Sequence, residues 1–236
     1  AEPLDLDDVT LPMAVVVSRG RGPAAARDLG WRLTSSPWVA FLDDDVVPAP
    51  TWAADLRQDL LTLGPDVAGI SGRIHVPLPT DRNPTDRERD VGGLASAHWA
   101  TADMTFRRRV LEEVDGFDDR FPRAYREDAE LAIRMLRAGY RLASGSRSIT
   151  HPVGTAPWHV SVQRQRNNAD DPLLFRLHGT AWPTVAGVYR GRRRSHVLTT
   201  AAAVAAIACA TTGRPRRALL ALGAWAAATA DFAVAR

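Results

Sequence analysis

Apolar runs cut by turn residues set the rhythm of the first 150 positions. Met13-Ala14-Val15-Val16-Val17, Trp38-Val39-Ala40-Phe41-Leu42 and Val67–Ile74 are short, rich in β-branched and aromatic residues, and bounded by Gly, Pro or charge. Each predicts a strand. Between the first two, Ser18–Pro23 is a Gly-rich turn and Ala24–Trp31 a run of helix formers, with Pro23 suited to a first helical turn. Trp52, Leu56 and Leu60 recur at intervals of four and predict a helix over 51–63, closed by Gly64-Pro65. Residues 77–93 carry three prolines, many charges and Gly92-Gly93, and predict a long polar loop. After His98–Phe106 a helix runs through Val114 into the turn Asp115-Gly116-Phe117-Asp118, and a further helix covers 127–136 with Leu131, Ile133 and Met135 inward. Ile149-Thr150 ends a strand and delivers His151.

The strand at 38–42 stops on Asp43, Asp44 and Asp45. A strand buried on both faces has no room for three charges, so they lie past its C-terminal end, where open α/β sheets bind ligands. Adjacent carboxylates repel unless a cation sits between them, and hard oxygen donors suit Mg²⁺ or Mn²⁺. A bare acidic triplet also suits a turn that caps the helix after Pro50; the rest of the pattern decides. Glu127 and Asp128 open a helix, where its dipole favours negative charge.

Composition adds less. The 236 residues, 45% hydrophobic and 24% charged, suit one sizeable domain and an appendage. There is no lysine, so all 30 basic residues are arginine, and the one cysteine, Cys209, excludes an internal disulfide. Charge is uneven: from Arg190 onward eight arginines face only Asp231. A basic tail on a mildly acidic body points to an anionic membrane surface and not to nucleic acid.

Four stretches in order, RGPAAARDLG at 21–30, FLDDDVVPAPTW at 41–52, VDGFDDRF at 114–121 and REDAEL at 126–131, resemble a family 2 glycosyltransferase of the GT-A fold. The resemblance implies an α/β fold with a mixed sheet flanked by helices over 13–189. It is preceded by an acidic segment at 1–12 and followed by an Ala-rich helical tail at 190–236. It implies a divalent cation, Mg²⁺ or Mn²⁺, on Asp43, Asp45 and His151, with Asp43, Asp44 and Arg27 beside a nucleotide-sugar donor. Asp128 corresponds to the catalytic base of an inverting transfer, with Glu127 an orienting neighbour. Trp99, Thr101 and Asp103 fall where relatives build the acceptor site. Gln163-x-x-Arg166 echoes a QxxRW element whose tryptophan is here Asn167, making Arg166 a further substrate contact. The acceptor is expected to be a glycan or lipid-linked molecule of the cell envelope, met at the cytoplasmic face of the membrane.

One departure matters. Relatives begin with strands ending in PxYN-like and Asp-Asp-Gly-Ser-like motifs that build the nucleotide pocket, and neither motif occurs here. The chain is therefore expected to enter the fold before its third strand, as a fragment. The alternative is a non-catalytic GT-A-like body acting as a binding module. A nucleotidyltransferase would need a Gly-rich loop with a reactive cation, for which Gly20-Arg21-Gly22 is a poor substitute.

In the tail, Val197–Gly213 and Ala218–Ala235 are Ala-rich apolar stretches separated by Arg214–Arg217. Arginines at both ends of the first disfavour a single crossing, so a helical hairpin in the membrane interface is expected. Two helices packed on the body would use the same residues.

Overall fold

Apolar strands form here only where another strand offers them an edge. The computed structural model describes residues 12–157, 159–188 and 192–234. Contacts divide the chain into two units, Ala1–Val188 and Tyr189–Arg236. The expected acidic segment lies outside the described residues apart from Pro12, as do Arg190 and Ala235.

In the first unit, α1 (Pro23–Arg32) leads to β1 (Trp38–Leu42), the two-residue β2 (Val47–Pro48), α2 (Trp52–Leu61) and β3 (Val67–His75). Then come α3 (Asp86–Gly92), β4 (Asp103–Arg107), α4 (Arg108–Glu113), α5 (Glu127–Arg137) and β5 (Arg141–Thr150). The short α6 (Val160–Arg164), α7 (Asp171–His178) and α8 (Trp182–Val185) close the unit. The five strands form one mixed sheet in the order β1-β4-β3-β5-β2, the α/β architecture expected of GT-A. β4 is antiparallel to both β1 and β3, while β3 and β5 are parallel. Consequently β1, β3 and β5 point the same way, and their C-terminal ends share one rim with the start of β4. Because β1 and β2 stand at opposite edges, residues 43–46 must carry the acidic triplet across that rim.

Beneath the sheet, Phe41 packs edge-on to Phe106 and Phe117 with ring centroids 6.0 and 5.3 Å apart. Trp31, Met104, Leu111, Leu131 and Met135 complete this core. Ile133, on another side of α5, packs with Phe121, Leu174 and Trp182, so α7 and α8 are fastened to α5 by a second cluster. α5 thus buries most of its circumference and has little freedom to move.

Two expectations need correction. Residues 13–17 form no strand; they are exposed, Val17 by 76%, and no described strand pairs with them. β-branched composition favours a strand only where a neighbour accepts its hydrogen bonds and side chains, and that condition fails here. Conversely, the polar loop at 77–93 contains α3. Thr85 caps it: its hydroxyl accepts the Glu88 N–H at 3.3 Å, and the Glu88 carboxylate accepts the Thr85 N–H at 2.7 Å. Arg82 adds two bonds of 2.7 and 2.8 Å to the same carboxylate and, as the largest influence, holds its pKa down at about 2. The signal was present as Thr85-x-x-Glu88, the capping-box spacing.

The second unit is a hairpin of α9 (Arg193–Thr211) and α10 (Pro215–Val234).

Candidate active site

The rim receives its chemistry from four directions. From the end of β1, Asp43 and Asp45 project on the crossing segment, with Asp44 exposed between them. β2 then pairs with the end of β5, Val47 opposite Thr150, and so pulls the acidic segment toward the residue after β5, His151. The ligand atoms of Asp43, Asp45 and His151 all lie within 4.8 Å of one another. His151 is buried and its Nε2 stands 3.5 Å from Asp45 Oδ1, while Nδ1 lies 3.1 Å from the Pro152 carbonyl oxygen. Its backbone N–H donates to the His75 carbonyl at 2.8 Å, so the ends of both parallel strands fix it.

From α1, Arg27 enters with its guanidinium largely buried. Nη2 donates to Asp43 at 2.8 Å and Nη1 to Glu127 at 2.7 Å. α1 is placed by its turn: Gly22 sits at φ 98°, and a Cβ there would fall 2.4 Å from the Pro122 carbonyl oxygen. Only glycine fits.

From α5 come Glu127 and Asp128. Burial, then the neighbouring Asp128 charge, push Glu127 up to about 7 against the pull of Arg27. Glu127 Oε2 is buried without a hydrogen-bond partner among the described residues. Burial also raises Asp128, opposed by the Ala129 N–H, by Arg27 and Arg126, and by the Thr101 N–H. Its Oδ1 accepts from the Ala129 N–H at 2.7 Å. Adjacent buried acids with raised pKa values are the kind of group that can take up a proton in catalysis.

The fourth contribution is the segment before β4. Thr101 is buried and meets Asp128 through its backbone. Trp99 is half-buried, tilted against His98 at 5.7 Å, and its Nε1 is buried without a partner among the described residues. An orphaned donor of this kind is a natural contact for a ligand oxygen. Asp103 is different and corrects the expectation of an acceptor contact. It is fully buried, accepts Arg147 Nε at 2.8 Å and Trp52 Nε1 at 3.0 Å, and would touch any Cβ at Gly72. Its carboxylate neutralises the equally buried Arg147 within the sheet. Arg166 is exposed on the 3₁₀ turn 165–170 and makes no hydrogen bond or ion pair among the described residues.

Several positioning residues were not singled out from the sequence. Asp28, next to Arg27, accepts the Trp31 indole N–H at 2.8 Å and the Phe117 N–H at 3.1 Å. Arg134 grips Glu130 with bonds of 2.6 and 2.9 Å and donates to the Gly116 carbonyl at 2.6 Å and to the Val114 carbonyl. Together they pin the Gly-Phe-Asp turn between α1 and α5. The i, i+4 spacing of Glu130 and Arg134 was the available clue. Arg126, directly before Glu127, has φ 76°, held by Asp171 at 2.8 Å and lying over the Trp182 ring at 5.0 Å.

A sequence model of glycosyl transferase family 2 matches residues 12–134. The chain is 32% identical over 136 residues to the pre-mycofactocin glycosyltransferase of Mycobacterium tuberculosis, in strains CDC 1551 and H37Rv, covering 52% of this chain and 28% of that protein. It therefore spans under a third of the length of those relatives. Among solved structures it is similar to M. tuberculosis glucosyl-3-phosphoglycerate synthase, at 16% identity and TM-score 0.41, over 77% of this chain and 59% of that one. For the complex of that synthase with Mn²⁺, UDP-glucose and phosphoglyceric acid the TM-score is 0.38, with 16% identity over 72% and 56% of the two chains. The family match runs from the turn before α1, through the acidic crossing, into the helix that carries Glu127 and Asp128, and on that ground the chain belongs to glycosyl transferase family 2.

Proposed function

We propose that this chain carries the catalytic rim of a metal-dependent, inverting glycosyltransferase moving a sugar from a nucleotide-sugar donor to a glycan or lipid-linked acceptor. The observation behind this reading is the Asp43–Asp45–His151 cluster, whose ligand atoms lie within 4.8 Å of one another, tied through Arg27 to the acidic pair of α5.

The donor set fits a divalent ion: two carboxylates and one imidazole, with Asp45 exposed and able to leave positions open to ligand oxygens. Mn²⁺ or Mg²⁺ bound there would hold a diphosphate and stabilise its charge on departure. The rest falls to the chain. Arg27 balances Asp43 and Glu127, so the rim does not become a cluster of uncompensated carboxylates. Asp128, with its raised pKa, accepts the proton of the acceptor hydroxyl as that oxygen attacks the anomeric carbon from the face opposite the leaving group. Glu127 keeps Arg27 in place and offers Oε2 to a donor on the substrate. Trp99 supplies an indole N–H on the acceptor side, and Asp44 and Arg166, both exposed, are proposed as outer substrate contacts.

The test separates the metal from the base. Calorimetric titration with Mn²⁺ should show binding to the wild type and none to Asp45→Asn. Asp128→Asn should keep Mn²⁺ and nucleoside diphosphate binding while transfer falls by about a hundredfold or more. Equal loss of binding in both variants would overturn the division of roles.

A further inference from the structure

We propose that the α9–α10 hairpin seats this protein on an anionic lipid surface. The two helices are 19 and 20 residues long and meet through a tight turn. There the Arg214 N–H reaches the Cys209 carbonyl at 2.9 Å and Gly213 adopts φ 70°. Neither helix carries an arginine or carboxylate between Ser195 and Gly213 or between Ala218 and Ala230.

The small alanines leave the large apolar groups outward. Ile207, Leu219 and Leu220 are 66, 68 and 76% exposed, Val197, Val204 and Leu222 are exposed as well, and α10 buries none of its residues. By length and composition alone α10 passes for a membrane-crossing helix, but Asp231 interrupts its uncharged run at Ala230. So many exposed large apolar side chains on one small unit mark a surface suited to an apolar partner.

Charge identifies the occupant. Asp231, the sole acid from residue 190 onward, is paired with Arg192, so the unit presents cations without a free acid to balance them. At the turn Arg214, Arg216 and Arg217 are exposed and unpaired among the described residues. A second copy packed along the hairpin would set arginines against arginines, whereas lipid phosphates complement them. The uncharged band on α10, 13 residues from Ala218 to Ala230, is about 20 Å long at the helical rise. That falls short of the ~30 Å hydrocarbon core. Crossing would also carry Arg214, Arg216 and Arg217 to the far side of the bilayer, against the positive-inside tendency, so the hairpin is placed in one interface with both arginine-bearing ends among headgroups.

The experiment is co-sedimentation of the full chain with vesicles of phosphatidylcholine alone or with about a third phosphatidylglycerol. Binding should be confined to the anionic vesicles. It should weaken on the order of a hundredfold in the triple variant Arg214→Gln, Arg216→Gln, Arg217→Gln. Leu219→Gln with Leu220→Gln should weaken it while leaving the charge response intact. Circular dichroism and Mn²⁺ binding, read on the same samples, report whether the variants fold. Equal binding to both vesicle types, no binding to either, or a dimer that forms in place of vesicle binding would overturn the proposal.

Discussion

Arg27 donates to Glu127 across 2.7 Å while its other arm holds Asp43, so a single buried guanidinium joins the two acidic halves of the rim. Arg27→Met should leave Glu127 charged and alone in a buried place at pH 8, lowering stability by about 3 kcal/mol. At pH 5, where Glu127 takes up a proton, the loss should be smaller. Urea unfolding at the two pH values checks both statements.

The same carboxyl predicts a direction for the pH dependence. Glu127 titrates near 4.5 when unfolded and at about 7 when folded. Between those values the folded chain keeps a proton that the unfolded chain has released, so stability falls as pH rises through this window. The contribution approaches 1.4 kcal/mol per pH unit at most. Glu127→Gln should flatten the profile in part, since Asp128 adds a slope of the same sign. Urea unfolding from pH 5 to 8 with EDTA present measures it.

Asp103→Ala should behave as a core lesion. It removes the nearer of the two carboxylates on the fully buried Arg147, leaving Asp59 at 3.5 Å, and frees the Trp52 indole, at a cost of about 3 kcal/mol. Thermal unfolding decides this: a stable variant with altered acceptor affinity would restore the acceptor role expected from sequence.

Gly116→Ala tests the joint between α1 and the Gly-Phe-Asp turn. Gly116 has φ 61°, and a Cβ would approach Asp28 Oδ1 to 2.1 Å. We expect a destabilisation of about 2–4 kcal/mol with Mn²⁺ affinity reduced as Arg27 shifts. Unfolding and calorimetric titration on one preparation read the two effects.

The strands at 38–42 and 67–74 and the strand end before His151 were legible because apolar runs end abruptly on charge or turn residues; that Asp43, Asp45 and His151 would meet was implied by the family resemblance alone, and β2 and β4 were not singled out. Met13–Val17 misled because its composition says what a strand looks like and nothing about whether an edge is offered. Asp103 misled for a related reason: a carboxylate beside a candidate site reads as exposed until its partner is known, and Arg147 stands 44 positions away. α3 was readable from Thr85 and Glu88, yet the prolines around it outweighed that signal.

Arg126, in a left-handed backbone, is held through its side chain by Asp171 and Trp182, both beyond the residues matched by the family model, and the next two side chains are Glu127 and Asp128. The aim of the two acids proposed for proton transfer is therefore shared with α7 and α8. Drift in those late helices can retune the chemistry with every acid unchanged, and comparisons restricted to the shared motifs would miss it.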